Sequence, residues 1–207
     1  MGRGNGGLLG AKKVVSTIAA SGFWSTSDVQ REDGANNWPT LGDFESIGTI
    51  TVGAGGLSAI SFSSIPQTYK HLQLRTLARN SGENISLRAT FNGDNTSVYT
   101  IHELYGGGAA AAAANQINIA YYPCSLAGPA SATGVFGVSI TDLLDYTNTS
   151  KFKTAKTLTG YDANGSGYVE LTSGLWRSMS AITSITIVPN AGTITQYSQV
   201  ALYGIKG

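Results

Sequence analysis

The chain has 207 residues, enough for one or two domains, and charged side chains make up 12% of it, against a usual share of about a quarter. Its formal net charge of +1 supplies no field to draw in nucleic-acid phosphate or an acidic membrane. The lone cysteine, Cys124, excludes an intramolecular disulfide framework and a cysteine zinc cluster, and no apolar run approaches the ~20 residues that cross a bilayer.

Residues 1–42 differ from the rest of the chain. They are glycine-rich, carry two isolated tryptophans, Trp24 and Trp38, and hold no period of two or 3.6, so they read as an arm that cannot build a core of its own. Gly2, Gly4 and Gly7 match a dinucleotide-binding glycine pattern, yet that site needs a strand before the glycines and a helix after them. Lys12 and Lys13 read as solvated charges on the arm. The apolar stretch at 14–22 is too short, and too interrupted by Ser16 and Thr17, for a signal peptide. In SGFWSTSDVQREDG, Ser25 or Thr26 is placed to cap a short helix and Gly34 to end it.

Residues 43–207 read as one β-sandwich domain. In FESIGTITV (44–52), Phe44, Ile50 and Val52 share the even positions; AISF (59–62) follows a glycine turn and stops before Pro66. YKHLQLRTLAR (69–79) sends Leu72 and Leu74 to one face and His71, Gln73 and Arg75 to the other. ISLRATF (85–91) places Ile85, Leu87, Ala89 and Phe91 inward, the two-residue period of a half-buried antiparallel strand. Asn92-Gly93-Asp94 marks a tight turn into a strand at 97–105, because glycine permits positive φ.

The alanine run Ala109–Ala114 follows three glycines that oppose helix nucleation, so a surface loop is expected there, its small side chains allowing close approach by a neighbouring subunit. Further strands are expected at 116–122, 134–140, 152–161, 167–172, 182–188 and 196–205. About ten short strands with no long amphipathic helix between them predict an all-β, antiparallel, jelly-roll-like sandwich preceded by an extended arm.

Chemistry is sparse. Cys124 reads as a half-buried thiol at a strand end, without a histidine spaced to activate it. Asp162, Asn164 and Gly165 resemble the start of a calcium loop, but the position of its closing acid is Ser173, so a glycine-rich hairpin turn is expected. Asp142 and Asp145 are the nearest pair of acids for glycoside hydrolysis, and they read instead as flanking a short helical turn. His71 and His102, the two histidines, fall at outward or ambiguous strand positions. Sequons begin at Asn84, Asn95, Asn148 and Asn164, as a chain this rich in Asn, Ser and Thr produces by chance. The stronger candidates are aromatic: Tyr99, Tyr105, Tyr121, Tyr122 and Trp176 have faces that could stack on a glycan or anchor a subunit contact, although Trp176 fits core packing equally well. Tyr197 and Tyr203 are expected to lean on a neighbouring strand or subunit.

Taken as phrases, GLLGAKK, SGFWSTSDVQ and NNWP in the arm, with FESIGTITVGAGG, ISFSSIPQTYKHLQLR, LRATFNGD, LLDYTNTSKFKT and YSQVALYGIKG in the body, resemble a group of tailed-bacteriophage virion proteins over almost the whole chain. The resemblance implies an arm that precedes varied tail-fibre or adhesin domains and a β-sandwich body that often trimerises. The chain lacks the coiled-coil or extended shaft of the long fibres. The expectation is a non-enzymatic virion protein without metal or cofactor, a tail-associated short fibre or adhesin attached through its arm to other virion proteins as a homotrimer. The alternatives are a trimeric capsid decoration or cement protein and a glycan-binding module contacting host surface glycan. Leu8, Leu9, Phe23, Trp24 and Trp38 are the expected docking residues, apolar plugs for pockets on a partner.

Overall fold

A computed structural model describes residues 14–16, 19–21, 25–34 and 44–207, except 84, 109 and 131. The chain divides into two compact units, Met1–Gly42 and Asp43–Gly207. In the first, β1 (Val14–Ser16) pairs antiparallel with β2 (Ala19–Ser21). Helix α1 (Thr26–Gly34) comes next. Its cap is Ser25: the Asp28 amide donates to Ser25 Oγ and the Ser25 amide donates to Asp28 Oδ2, both at 3.2 Å. That reciprocal pair is a capping box with Asp in place of the usual Glu. Leu8, Leu9, Phe23, Trp24 and Trp38 lie outside the described residues.

The second unit is an all-β sandwich of two antiparallel sheets. Its strands are β3 (Phe44–Thr51), β4 (Ile60–Phe62), β5 (His71–Ala78), β6 (Ser86–Phe91), β7 (Tyr99–Gly106), β8 (Ala111–Ile119), β9 (Tyr122–Leu126), β10 (Gly137–Leu144), β11 (Lys153–Asp162), β12 (Gly167–Trp176), β13 (Ile185–Pro189) and β14 (Gln199–Ile205). The sheets are unequal. One has eight strands in the order β3-β14-β5-β10-β11-β12-β7-β8, and the other has four in the order β4-β13-β6-β9. Chain neighbours seldom lie side by side, so the connections cross repeatedly between layers, as in jelly-roll-like sandwiches.

Alternation explains the core where one sheet faces the other. Leu72 and Leu74 on β5, Leu87, Ala89 and Phe91 on β6, and Ile185 and Ile187 on β13 are buried, each two residues from the next along its strand. The Asn92-Gly93 turn forms, with φ of 54° and 70° and the Asp94 amide donating to the Phe91 carbonyl at 2.9 Å. It carries the chain from the small sheet to the large one instead of closing a hairpin, because β6 and β7 belong to different layers. The Asp162–Gly167 hairpin forms as expected, with Asn164 and Gly165 at φ 54° and 103°.

Under β9 the interior of the large sheet is polar. Thr141, Thr157, Thr159 and Thr172 are buried there, and the hydroxyls of Thr141 and Thr159 bond the backbone of β9 at its free edge. Thr141 Oγ1 donates to the Cys124 carbonyl at 3.0 Å; having one proton, it must then accept from Thr157 at 2.7 Å, which in turn accepts from the Tyr122 hydroxyl at 2.8 Å. The Leu126 amide donates to Thr159 Oγ1 at 2.8 Å. Gly174 makes room for this arrangement, since a Cβ there would stand 2.3 Å from Tyr122 Cε2.

Three expectations are corrected. The alanine run is not a loop: from Ala111 it forms β8, paired to β7 through Ala111↔Gly106 and Ala113↔Leu104. Alanine's weak strand preference is overridden there by cross-strand hydrogen bonding. No helical turn lies at 142–145; Asp142 is within β10 and Asp145 comes just after it at φ 48°. Cys124 is fully buried within β9 rather than half-buried at its end.

Candidate interaction surface

The aromatic candidates separate sharply. Tyr99, Tyr122 and Trp176 are buried in the core, so their ring faces are closed to glycan and to a neighbouring subunit. Trp176 stands edge-on to Phe91, with centroids 5.7 Å apart, and stacks on Tyr99 at 6.4 Å. Its Nε1 donates to Asp94 Oδ2 at 3.0 Å, while the Tyr99 hydroxyl donates to the Asp94 carbonyl at 2.9 Å and accepts from the Phe91 amide at 3.0 Å. Trp176 and Tyr99 thereby lock the Asn92-Gly93-Asp94 turn against the large sheet. Half-buried Tyr105 stacks on Tyr168 at 5.4 Å, and half-buried Tyr121 lies under the Arg88 guanidinium at 4.0 Å. They sit in separate contacts and do not line a common groove. Tyr203 faces the Arg75 guanidinium at 4.9 Å.

The polar candidates hold structure. Asp142 accepts from Gln73 Nε2 at 2.9 Å and lies 3.8 Å from Lys156 Nζ. Asp145 pairs with Lys151 and, at 3.1 Å, with Lys70, and its amide donates to His71 Nδ1 at 2.9 Å. Both carboxylates are thus engaged by neighbouring cations and, for Asp142, by the Gln73 amide. The Cys124 thiol is pushed up to about 12 by burial and is inert at neutral pH. Lys153 is buried, its Nζ donating to the carbonyls of Lys151 at 3.0 Å and Met179 at 3.2 Å. On the inner side of β7 and β12, burial and the nearby Glu170 raise the Glu103 carboxyl above its ordinary value. Burial first, then Glu170, pushes Tyr168 up to about 12.

Hydrogen bonds from Lys151 and Lys70 hold the Asp145 carboxyl at about 2, below its ordinary 3.8. A carboxyl depressed on folding adds stability above its unfolded pKa, and loses that contribution as pH falls through the folded value. Thermal melts should therefore fall more gently from pH 4 to pH 2 in Asp145→Asn than in the native chain, and the difference between the two curves should be flat above about pH 5. A difference confined to neutral pH would contradict this ion pair.

What the sequence reading missed lies on the outer face of the large sheet. Two cross-strand rows run Leu77–Val138–Gly160–Val169–Gly106 and Arg75–Ile140–Leu158–Leu171–Leu104 across β5, β10, β11, β12 and β7. Their seven large apolar side chains are each 43–56% exposed. Gly160 leaves a dimple among them, a hollow of 260 Å³ walled by Val138, Ile140, Leu158 and Val169. Around these rows, β10 to β12 invert the usual arrangement, with Thr141, Thr157, Thr159 and Thr172 inward and Val138, Ile140, Leu158, Val169 and Leu171 outward. Beyond β7, the edge strand β8 is exposed almost throughout and carries no charge and no proline over Ala111–Ile119, so it lacks the usual guards of a free edge. The signal was available as Leu, Val and Ile at every second position opposite Thr, but alternation alone does not say which set faces the core.

No protein-family model matches the chain, and no curated protein matches it. Among solved structures, it is similar to a protein of unknown function from Shewanella oneidensis MR-1, at 8% identity and a TM-score of 0.21, over 79% of this chain and 76% of that one. A likeness this weak carries neither fold nor function.

Proposed function

We propose that the chain is a non-enzymatic structural protein of a bacteriophage virion, a tail-associated short fibre or adhesin-like component held on the particle by residues 1–42 and assembled as a homotrimer. The observation that carries this reading is the exposed apolar outer face of the large sheet, which continues into an unguarded edge strand. Contiguous apolar surface of this kind marks a site of association, and a protein that spends its life inside an assembly can present it. The resemblance of the arm and body phrases to virion proteins supplies the kind of assembly.

A chain tagged after Gly207 and located on particles by immunoelectron microscopy tests the proposal. Label at the tail is the expected result. Label spread over the shell would replace the tail role by capsid decoration, and unlabelled particles beside a soluble tagged chain would contradict both.

A further inference from the structure

We infer that the outer face of the eight-stranded sheet is where copies of this chain pack against one another, with the two leucine-bearing rows at the centre of the contact. The inference deepens the self-association in that reading by naming its contact surface, leaves the number of copies to the measurement, and does not depend on where on a particle the chain sits.

Three observations favour a second copy as the occupant. The first is size. Eight strands at ~4.8 Å spacing and about 26 Å long present on the order of 1,000 Å², above the about 800 Å² per partner of a stable protein interface. The second is charge. The outward positions of β5, β10 and β11 carry Arg75 and Lys156 against Asp142 and Asp162, two of each sign around a neutral apolar centre. A strongly charged partner finds no complement there, whereas an identical face, equally balanced in charge, meets it without net repulsion. The third is the rim. Ala111 and Ala113 on β8 extend the same two rows beyond Gly106 and Leu104, and their short side chains let another backbone approach without a steric barrier.

The interior does not need these leucines. Leu158 and Leu171 oppose one another on β11 and β12 and are 55% and 44% exposed, with Thr157, Thr159 and Thr172 turned inward beside them, so charging them leaves the core of one copy intact. Sedimentation of the full chain provides the test. The native chain is expected to be oligomeric, and Leu158→Asp/Leu171→Asp monomeric, with its dissociation constant raised at least ~100-fold and its circular dichroism unchanged. Should that variant fail to fold, Leu104→Lys, on the neighbouring strand, carries the same readout. A native chain that stays monomeric up to ~0.1 mM, where micromolar contacts are filled, overturns the inference and gives the face to another protein. A folded variant that keeps the native mass overturns it as well. Either failure leaves labelled particles standing as evidence for the virion role, and an oligomeric chain absent from every particle would do the reverse.

Discussion

Trp176→Ala should lower the stability of the body by about 4 kcal/mol, the range found when a large buried aromatic is truncated, and leave any glycan binding of the folded protein unaltered. The indole is almost wholly buried and contacts Phe91 and Tyr99, so its removal opens a cavity between the two sheets. It also takes away the donor to Asp94 Oδ2, which anchors the turn where the chain passes from one sheet to the other. For a body of this size the loss should lower the thermal midpoint by roughly 10 °C. Trp176→Phe separates the two effects: it keeps most of the packing, forfeits the hydrogen bond, and should cost about 1–2 kcal/mol. An unchanged midpoint in Trp176→Ala, with weakened glycan binding, would restore this residue to the surface.

The residues of that cluster show what a sequence can and cannot reveal. Strands such as β5 and β6 were legible because their faces contrast: Leu72 and Leu74 against Gln73 and Arg75, Leu87 and Phe91 against Arg88 and Thr90. One face could only be the core. Turns that need positive φ, at Asn92-Gly93 and Asn164-Gly165, were legible for a local reason as well, since few residue pairs adopt that backbone cheaply. Tyr99 and Trp176 were ambiguous because an aromatic with a polar tip serves a core or a surface equally well. Their burial depends on Phe91, which the fold delivers from the other sheet.

The alanine strand and the inverted faces of β10 to β12 were hidden for a different reason. Ala111–Ala114 has no strand preference to display, and it becomes a strand because β7 offers it a ladder. In β11, Thr157 and Leu158 are both acceptable inward, and the choice falls to threonine because on that face Thr159 accepts from the Leu126 amide at the free edge of β9 and Thr157 bonds the Tyr122 hydroxyl. That choice pushes leucine outward, so the same local demand that completes the interior creates the apolar surface on which the functional reading rests. In the proposed role the sandwich thus links core chemistry to assembly. The cover that β9 receives from threonines on β10 and β11 is matched by an exposure on the opposite side of those strands.

The second large effect concerns residues 1–42. Among the described residues, every member of the buried core cluster lies between Val52 and Leu202, and the proposed role treats the body as a unit that folds without the first. Leu8, Leu9, Phe23, Trp24 and Trp38 are large apolar residues of that first segment; in the proposed role they fill pockets on another virion protein. Removing residues 1–42 should therefore leave the thermal midpoint of the body unchanged while incorporation into particles falls to background. The measurement is the amount of truncated chain, relative to native chain, in purified particles assembled with each. A folded truncated body missing from the particle is the predicted result, and a truncated body that incorporates at the native level would contradict the arm as the point of attachment.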